Sequence, residues 1–190
     1  MMRASRHSFS EPAVNPTEAE PRLTTLIRTH YAAVWRVVRR LGVAEGASED
    51  VVQQVFVIAS GKLDRIKEHA ERAFLLGTAA RVAANQRRSA AVRNEIAEDD
   101  ISRRVADAPG AEELLDEKRL RQLFDEVLAS LPDDLRTVLV LFEIEEVELA
   151  DIAMSLGIPR GTAASRLRRA REEFAAAARR ARARLRFKEA

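Results

Sequence analysis

The sequence predicts an all-α protein made of two small helical domains joined by a flexible acidic linker. Three observations indicate this fold class. Apolar residues recur three or four positions apart through most of residues 22–93 and 113–172. Glycine and proline interrupt this periodicity where helices are expected to end. Residues 94–112 lose the periodicity and are rich in acidic side chains, so they are predicted to be the linker.

Several kinds of site are disfavoured by the composition. The chain has no cysteine, so it can form neither disulfides nor thiolate metal sites. The three histidines are scattered, and neither a phosphate-binding glycine loop nor a nucleophile motif is present. We therefore expect no enzymatic activity, no metal or other cofactor and no small-molecule substrate. With neither a bilayer-spanning apolar run nor a secretion signal, we expect no membrane insertion and a cytoplasmic location.

Charge is segregated along the chain, although the net charge is only +2. Residues 22–93 have a balance of +7 and residues 158–190 a balance of +8. Residues 94–157, between them, have a balance of −12. Two basic blocks on either side of an acidic one indicate contact with nucleic acid at two separate places.

The first domain, residues 22–93, is expected to follow a flexible arm, residues 1–21, which is rich in Pro, Ser and Glu. Its first helix is expected to end at Gly42, with Tyr31 and Trp35 as structural residues of the apolar face. Ser48 is expected to cap the second helix, because its hydroxyl can accept a hydrogen bond from the first turn. The polar face of this second helix consists of Glu49, Asp50, Gln53 and Gln54.

A third helix, from about residue 73 to residue 88, is expected to carry a basic face opposite its apolar one. The polar residues on or beside that face are Arg81, Asn85, Arg87 and Arg88. The charged connection before this helix, residues 61–72, contains Lys62, Arg65 and Lys67. A basic face of this kind suits contact with a nucleic-acid backbone, but a merely solvated arginine-rich helix would show the same pattern.

The second domain, residues 113–172, is expected to begin with a helix that runs to Leu131. Pro132 then starts another helix, because its fixed φ and missing N–H are tolerated in a first turn. The acidic run that follows is expected to be a solvated face: Glu143, Glu145, Glu146 and Glu148. Residues 173–190, rich in Ala and Arg, are predicted to form a long basic terminal helix that either adds nonspecific DNA affinity or lies in solvent.

A helix-turn-helix pattern occupies residues 147–171. Apolar residues mark one face of a short helix, Gly157 and Pro159 interrupt it, and small apolar residues mark the inner face of a second helix. The outer face of that second helix presents hydroxyl and guanidinium groups, which can bind base edges and phosphates in a major groove. These candidate DNA-binding residues are Arg160, Thr162, Ser165, Arg166, Arg168, Arg169 and Arg171.

Residues 131–172 resemble region 4 of the extracytoplasmic-function (ECF) group of bacterial sigma factors. The resemblance rests on motifs at fixed spacing: Leu131-Pro132, Arg136, Asp151-Ile152-Ala153, Leu156-Gly157-Ile158-Pro159, Gly161-Thr162, Ser165-Arg166-Leu167 and Arg169-Ala170-Arg171. The segment SEDVVQQVF, residues 48–56, is similar to region 2.2 of the same family. The third predicted helix is similar to regions 2.3 and 2.4, although Phe74 stands where the family usually has tryptophan.

The resemblance implies a protein that binds core RNA polymerase and directs promoter recognition and DNA opening. Its polymerase partners would be the β′ clamp helices, bound by the polar face of the second helix, and the β subunit. The −10 element would be read and opened by Lys62, Arg65, Lys67, Arg81, Asn85, Arg87 and Arg88. The −35 element would be read by the second helix of the helix-turn-helix. An anti-sigma factor is a further expected partner.

Two other functions fit the same residues. A helix-turn-helix regulator that binds an operator without polymerase would use residues 147–171 but would not need the polar face at residues 49–54. A sigma-like interaction protein would bind polymerase or an anti-sigma factor without starting transcription. The altered third helix, at Phe74, Ala80 and Arg81, is compatible with this second alternative.

Overall fold

The computed structural model describes residues 16–96 and 112–188, in which all regular secondary structure is helical. The N-terminal unit contains α1 (Pro16–Arg40), α2 (Glu45–Ser60) and α3 (Glu71–Ile96), with two 3₁₀ turns at Leu63–Arg65 and Glu68–Ala70. The C-terminal unit contains α4 (Glu112–Ala129), α5 (Asp133–Leu139), a π-helical turn (Val140–Ile144), α6 (Leu149–Leu156) and α7 (Arg160–Lys188). The predicted all-α class is confirmed.

None of the helices within these described ranges combines the length and the apolar content that crossing a bilayer requires.

The three helices of the N-terminal unit pack on one another around a core of aliphatic side chains. Leu26, Val55 and Leu75, one from each helix, are almost completely buried there. Tyr31 lies at the edge of this core and stacks on Trp35 and on Phe56, with 6.3 Å between ring centroids in each pair. The predicted structural role of both aromatic residues agrees with these contacts, although Tyr31 keeps 42% of its surface exposed.

Several predicted boundaries differ from those in the structure. Helix α1 begins at Pro16, so residues 16–21 of the predicted arm are helical, while residues 1–15 lie outside the described residues. Proline is tolerated at a first helical position, because its fixed φ suits the helix and its missing N–H is not needed there. Helix α3 continues to Ile96. The predicted linker thus overlaps helix at residues 94–96 and 112, and its residues 97–111 are not described.

Ser48 does not cap α2, contrary to the prediction. The helix starts four residues earlier than predicted, after Ala44, and the buried Ser48 hydroxyl donates a hydrogen bond of 2.9 Å to the Ala44 carbonyl. A serine inside a helix commonly bonds back to the preceding turn in this way. The acidic residues that were expected to follow a cap therefore lie in the second turn of α2.

The two units pack against each other. Helix α3 of the N-terminal unit lies across α6 of the C-terminal unit, and one apolar cluster continues through both. A Cβ atom at Gly77 of α3 would lie 2.2 Å from the Cβ of Ser155 in α6. The absence of a side chain at Gly77 therefore allows the two helices to approach closely.

The acidic run after α5 is only partly a solvated face, so this prediction was wrong for one residue. Glu143, Glu146 and Glu148 are exposed, but the Glu145 side chain is only 1% exposed. Its carboxylate contacts arginines of the N-terminal unit. Sequence periodicity could not show this burial, because it depends on side chains that are 73 to 109 residues distant in the chain.

Candidate nucleic-acid interface

Helices α6 and α7 form the predicted helix-turn-helix. Gly157 ends α6 in the left-handed conformation, with φ of +66°, and its N–H donates to the Met154 carbonyl at 3.2 Å. The next N–H, of Ile158, donates to the Ala153 carbonyl at 3.0 Å. This is the hydrogen-bonding pattern by which glycine ends a helix and turns the chain sharply. Helix α7 then begins at Arg160, with Ala163, Leu167 and Ala170 buried against the rest of the C-terminal unit.

Replacing Gly157 with alanine is expected to lower the free energy of unfolding by about 1 kcal/mol, because alanine is disfavoured at positive φ. No atom outside its immediate neighbours lies within 4 Å of the added Cβ, so the cost is conformational and not steric. Thermal denaturation followed by circular dichroism measures the effect, expected to be a decrease of about 2–4 °C in Tm.

Gly161→Ala is the matched control, since Gly161 lies in the first turn of α7 and its added Cβ also has open space. It is expected to leave stability unchanged or raise it slightly, because alanine is the better helix former. Equal destabilisation by both variants would contradict the conformational explanation.

The outer face of α7 holds the candidate DNA-binding residues. Arg160, Ser165, Arg168 and Arg169 are exposed, while Thr162 is half-buried. Arg168 and Arg169 pair with Glu172 and Glu173 one turn later on the same helix, at 3.2 and 3.5 Å. Exposed pairs of this kind contribute little to stability, so their arginines are available to another anion.

Two other arginines of α7 are held by neighbouring elements. The Arg166 Nε lies 3.2 Å from the Asp134 Oδ2 of α5, and the Arg166 side chain is 30% exposed. Arg171 lies 2.5 Å from Glu143 in the π-helical turn, with its guanidinium 5.5 Å from the centroid of the Phe142 ring. These contacts orient the two side chains, and Arg171 would have to leave Glu143 to bind a phosphate. Both partners lie at least 28 residues away in sequence, so helical spacing alone could not reveal them.

The third predicted helix, α3, presents most of its expected basic face to solvent. Arg81, Asn85 and Arg88 are exposed, and the Arg88 Nη2 donates to the Asn85 Oδ1 at 2.5 Å. Lys62, Arg65 and Lys67 are exposed on or beside the 3₁₀ turns before α3. These six residues therefore form exposed surface of the N-terminal unit.

Arg87 does not belong to this surface, contrary to the prediction. Its side chain is 15% exposed and lies between the two units, 3.1 Å from the Asp133 carboxylate of α5. It also donates a short hydrogen bond to the Leu41 carbonyl. Burial is the main reason why the pKa of Arg87 lies below that of a free arginine, although Asp133 acts in the opposite direction. The periodicity placed Arg87 beside the basic face but could not show that another helix covers it.

The polar face of α2 is exposed at all four predicted positions, Glu49, Asp50, Gln53 and Gln54. Val57, one turn further on, belongs to the same face and keeps 63% of its surface exposed. Sequence analysis did not include Val57, although it falls outside the buried register of α2, whose neighbouring buried residues are Val55, Phe56 and Ala59. A single exposed apolar residue is common on protein surfaces, so Val57 extends this face without identifying what binds it.

No cluster of three or more His, Asp or Glu side chains with the geometry to hold a metal ion occurs among the described residues.

Two family models match the chain. The model described as "Sigma-70 region 2" matches residues 26–93, and the model described as "Sigma-70, region 4" matches residues 121–174. The first therefore covers α2 and most of α1 and α3, and the second covers the helix-turn-helix with the second half of α4.

Relatives with curated names have the same family assignment. The ECF RNA polymerase sigma-E factor of Escherichia coli K12 is 32% identical over 139 residues, which are 68% of this chain and 73% of that protein. The corresponding Haemophilus influenzae protein is 31% identical over 65% of this chain and 70% of its own length. The ECF sigma factor SigE of Mycolicibacterium smegmatis is 28% identical over 85% of this chain, and the match spans 63% of that protein, less than two thirds.

Two solved structures share the fold. One is the sigma factor RpoE of Bartonella quintana in complex with the anti-sigma factor NepR, with a TM-score of 0.64, 22% identity, and coverage of 85% of this chain and 96% of that chain. The other is CnrH in complex with the cytosolic domain of CnrY, with a TM-score of 0.59, 22% identity, and coverage of 84% and 92%.

Proposed function

Because the chain belongs to the ECF group of the sigma-70 family, whose members bind core RNA polymerase and recognise promoters, we propose a division of these tasks between its two units. Residues 22–93 dock on the polymerase and open the −10 element, and residues 113–172 read the −35 element. Residues 1–21 are an arm, residues 94–112 a linker, and residues 173–190 a basic C-terminal helix. The polymerase supplies the catalysis, and this chain supplies the choice of promoter.

The observation that carries this proposal is the presence, on one chain, of two exposed surfaces with different chemistry. The polar face of α2 carries two carboxylates and two carboxamides, whereas the outer face of α7 carries arginines and hydroxyls. An operator-binding regulator would need the second surface but has no use for the first. The polar face of α2 is suited to the β′ clamp helices, and Val57 adds an apolar contact at its end.

The exposed residues of α3 and the 3₁₀ turns support a role in opening the −10 element. Duplex opening requires cationic side chains that hold the strand backbone after its bases unstack. Lys62, Arg65 and Lys67 provide such charges before α3, and Arg81 and Arg88 provide them along it. Asn85 adds a group that can bind a base edge. Arg87 is excluded from this set by its contacts with Leu41 and Asp133.

Alanine substitution of two adjacent arginines is expected to separate DNA opening from stability. Arg88→Ala should reduce promoter opening, measured by permanganate reactivity of unpaired thymines, with little change in Tm, because Arg88 is exposed. Arg87→Ala should instead lower the free energy of unfolding by about 1–3 kcal/mol, since it removes the donor to a buried carbonyl. If Arg88→Ala destabilised the chain while Arg87→Ala affected only opening, the two roles would have been assigned the wrong way round.

An anti-sigma factor is the third proposed partner. The two solved neighbours are a sigma factor bound to the anti-sigma factor NepR and CnrH bound to the cytosolic domain of CnrY. We infer that this chain is also held inactive by a protein of this kind. No cofactor and no small-molecule substrate are part of the proposed function. Its location is the cytoplasm, because RNA polymerase and chromosomal DNA are there.

The proposed function is tested by adding the purified full-length chain to sigma-free core polymerase and genomic DNA from its source, and then mapping transcript 5′ ends. We expect discrete new start sites that share two upstream elements. Binding to polymerase without any start site would favour the sigma-like interaction protein. No binding to polymerase, with retained binding to DNA, would favour an ordinary helix-turn-helix regulator.

A further inference from the structure

The contact between the two units contains a buried carboxylate surrounded by arginines, which the proposed DNA and polymerase surfaces do not use. Glu145 belongs to the C-terminal unit, whereas Arg36 and Arg40 of α1 and Arg72 of α3 belong to the N-terminal unit. The Glu145 Oε2 lies 2.9 Å from the Arg72 Nη2 and 3.4 Å from the Arg36 Nη2, and its Oε1 lies 3.1 Å from the Arg40 Nη1. Arg72 also donates to the Glu145 backbone carbonyl. We call these four residues the Glu145 cluster.

The backbone around Glu145 departs from regular helix in a way that directs this side chain inward. The π-helical turn Val140–Ile144 ends at Glu145, whose N–H donates to the Val140 carbonyl at 3.1 Å. The next residue, Glu146, has φ of +51°, the only positive φ of a non-glycine residue among those described. Left-handed backbone at such a residue costs energy and persists where surrounding contacts compensate for it. The contacts of the Glu145 cluster provide that compensation.

Two other contacts also hold the two units together. Gly77 and Ser155 bring α3 and α6 close together, and Arg87 of α3 is paired with Asp133 of α5. A cleft of about 830 Å³ separates α1 from α4 beside these contacts, and Arg36, Arg40 and Arg136 line it. The charged contacts of the Glu145 cluster therefore lie beside the apolar contact between α3 and α6, and both hold the units together.

We call the arrangement in which the two units pack against each other the closed arrangement. It does not match the spacing of the two promoter elements. Helices α3 and α7 both pack on α6, so their axes are roughly 20 Å apart near α6, at 8–10 Å per helix contact. The −10 and −35 elements are named for positions about 25 base pairs apart, which is about 85 Å of duplex at 3.4 Å per pair. The closed chain cannot place its two DNA-reading surfaces on both elements at once.

We propose that the Glu145 cluster is an internal latch that holds the free chain closed and has to be broken when the chain binds polymerase and promoter with both units. This inference rests on the function proposed above. The latch lowers the apparent affinity for core polymerase, because only the open fraction of the chain can bind with both units. It also keeps the free chain from contacting both promoter elements at once.

A distance between one label on each unit tests the closed arrangement directly. The chain has no cysteine, so Ser60→Cys in α2 and Ala175→Cys in α7, both at exposed positions, can be spin-labelled specifically. Double electron–electron resonance on the full-length chain is expected to give one narrow distance distribution. Adding Glu145→Gln, which keeps the side-chain shape but removes its charge, is expected to give a broader distribution with longer distances.

Matched variants separate opening from unfolding. Glu148→Gln removes an exposed carboxylate from the same acidic run and is expected to keep the narrow distribution. Gly77→Ala acts from the other unit, because its Cβ would collide with Ser155, and is expected to open the chain while α3 stays helical. Gly46→Ala in α2, which has open space at its Cβ, is its control. The latch is overturned if Glu145→Gln keeps the wild-type distance distribution with wild-type helical content, while opening by Gly77→Ala shows that the measurement detects separation of the units.

Polymerase binding tests the functional part of the proposal. Glu145→Gln and Gly77→Ala are expected to bind core polymerase about tenfold more tightly than wild type, as the open fraction rises. Opening without tighter binding would overturn the proposed role of the latch. Failure of the wild-type chain to bind polymerase would instead overturn the proposed function, while the distance measurement would still decide whether Glu145 holds the units together.

Discussion

The affinity of the chain for core polymerase is expected to fall sharply when Asp50 and Gln53 of α2 are both replaced by arginine. Both side chains are exposed and neither packs in the core, so the fold should be retained. The double change puts two guanidinium groups on the surface proposed to face the β′ clamp helices. Breaking a buried hydrogen-bonded charge pair across a protein interface costs about 2–5 kcal/mol. That cost corresponds to a loss of about thirtyfold to several thousandfold in affinity.

The control for this variant is Gln122→Arg with Glu126→Arg on α4, which makes a similar change in charge at two exposed positions of another helix. Both double variants are compared with wild type by titration of fluorescently labelled protein with core polymerase, and transcription is measured in parallel. Unchanged polymerase binding by the α2 variant would show that α2 is not the docking face. Equal loss in both variants would indicate a nonspecific effect of added positive charge.

The two proposed binding surfaces could be predicted from sequence because each depends on residues close together in the chain. Gly157 followed by Pro159 limits α6, and helical spacing then decides which side chains of α7 point outward. The same argument placed Glu49, Asp50, Gln53 and Gln54 on one face of α2. Local periodicity is sufficient in both cases, since each surface lies on one helix and its apolar face identifies the opposite side.

The contacts between the units could not be predicted in this way. Arg87 and Glu145 both looked like exposed charges in sequence, but Glu145 is buried and Arg87 is largely covered, in each case by an element from the other unit. Periodicity shows that a face is polar, but it does not show that a distant residue of opposite charge covers that face. The early start of α2 has a different cause, because Ser48 can bond either to the turn that follows or to the turn that precedes it. The second bond is formed here.

The largest effect on promoter choice is expected from Arg166→Ala combined with Arg169→Ala on α7. Each arginine that pairs with a base edge contributes about 1–3 kcal/mol of discrimination, so the double variant should lose about thirtyfold or more in selectivity for the −35 element. Polymerase binding should remain, because both residues belong to the outer face of α7 and not to the polar face of α2. Arg166 also pairs with Asp134, but a partly exposed pair of this kind contributes at most about 1 kcal/mol to stability.

The control comes from the same helix. Arg179→Ala with Arg182→Ala removes two exposed arginines that lie beyond residue 174, where the region 4 match ends. A helix of 29 residues is about 43 Å long, whereas the major groove is about 12 Å wide, so only the first turns of α7 fit within it. Transcription from matched and mutated −35 elements should therefore fall for the Arg166 and Arg169 variant alone. Intact promoter selection in that variant would show that α7 does not read the −35 element. An equal loss in the control would show that the arginines act by general attraction to phosphates along the whole helix, and not by reading bases.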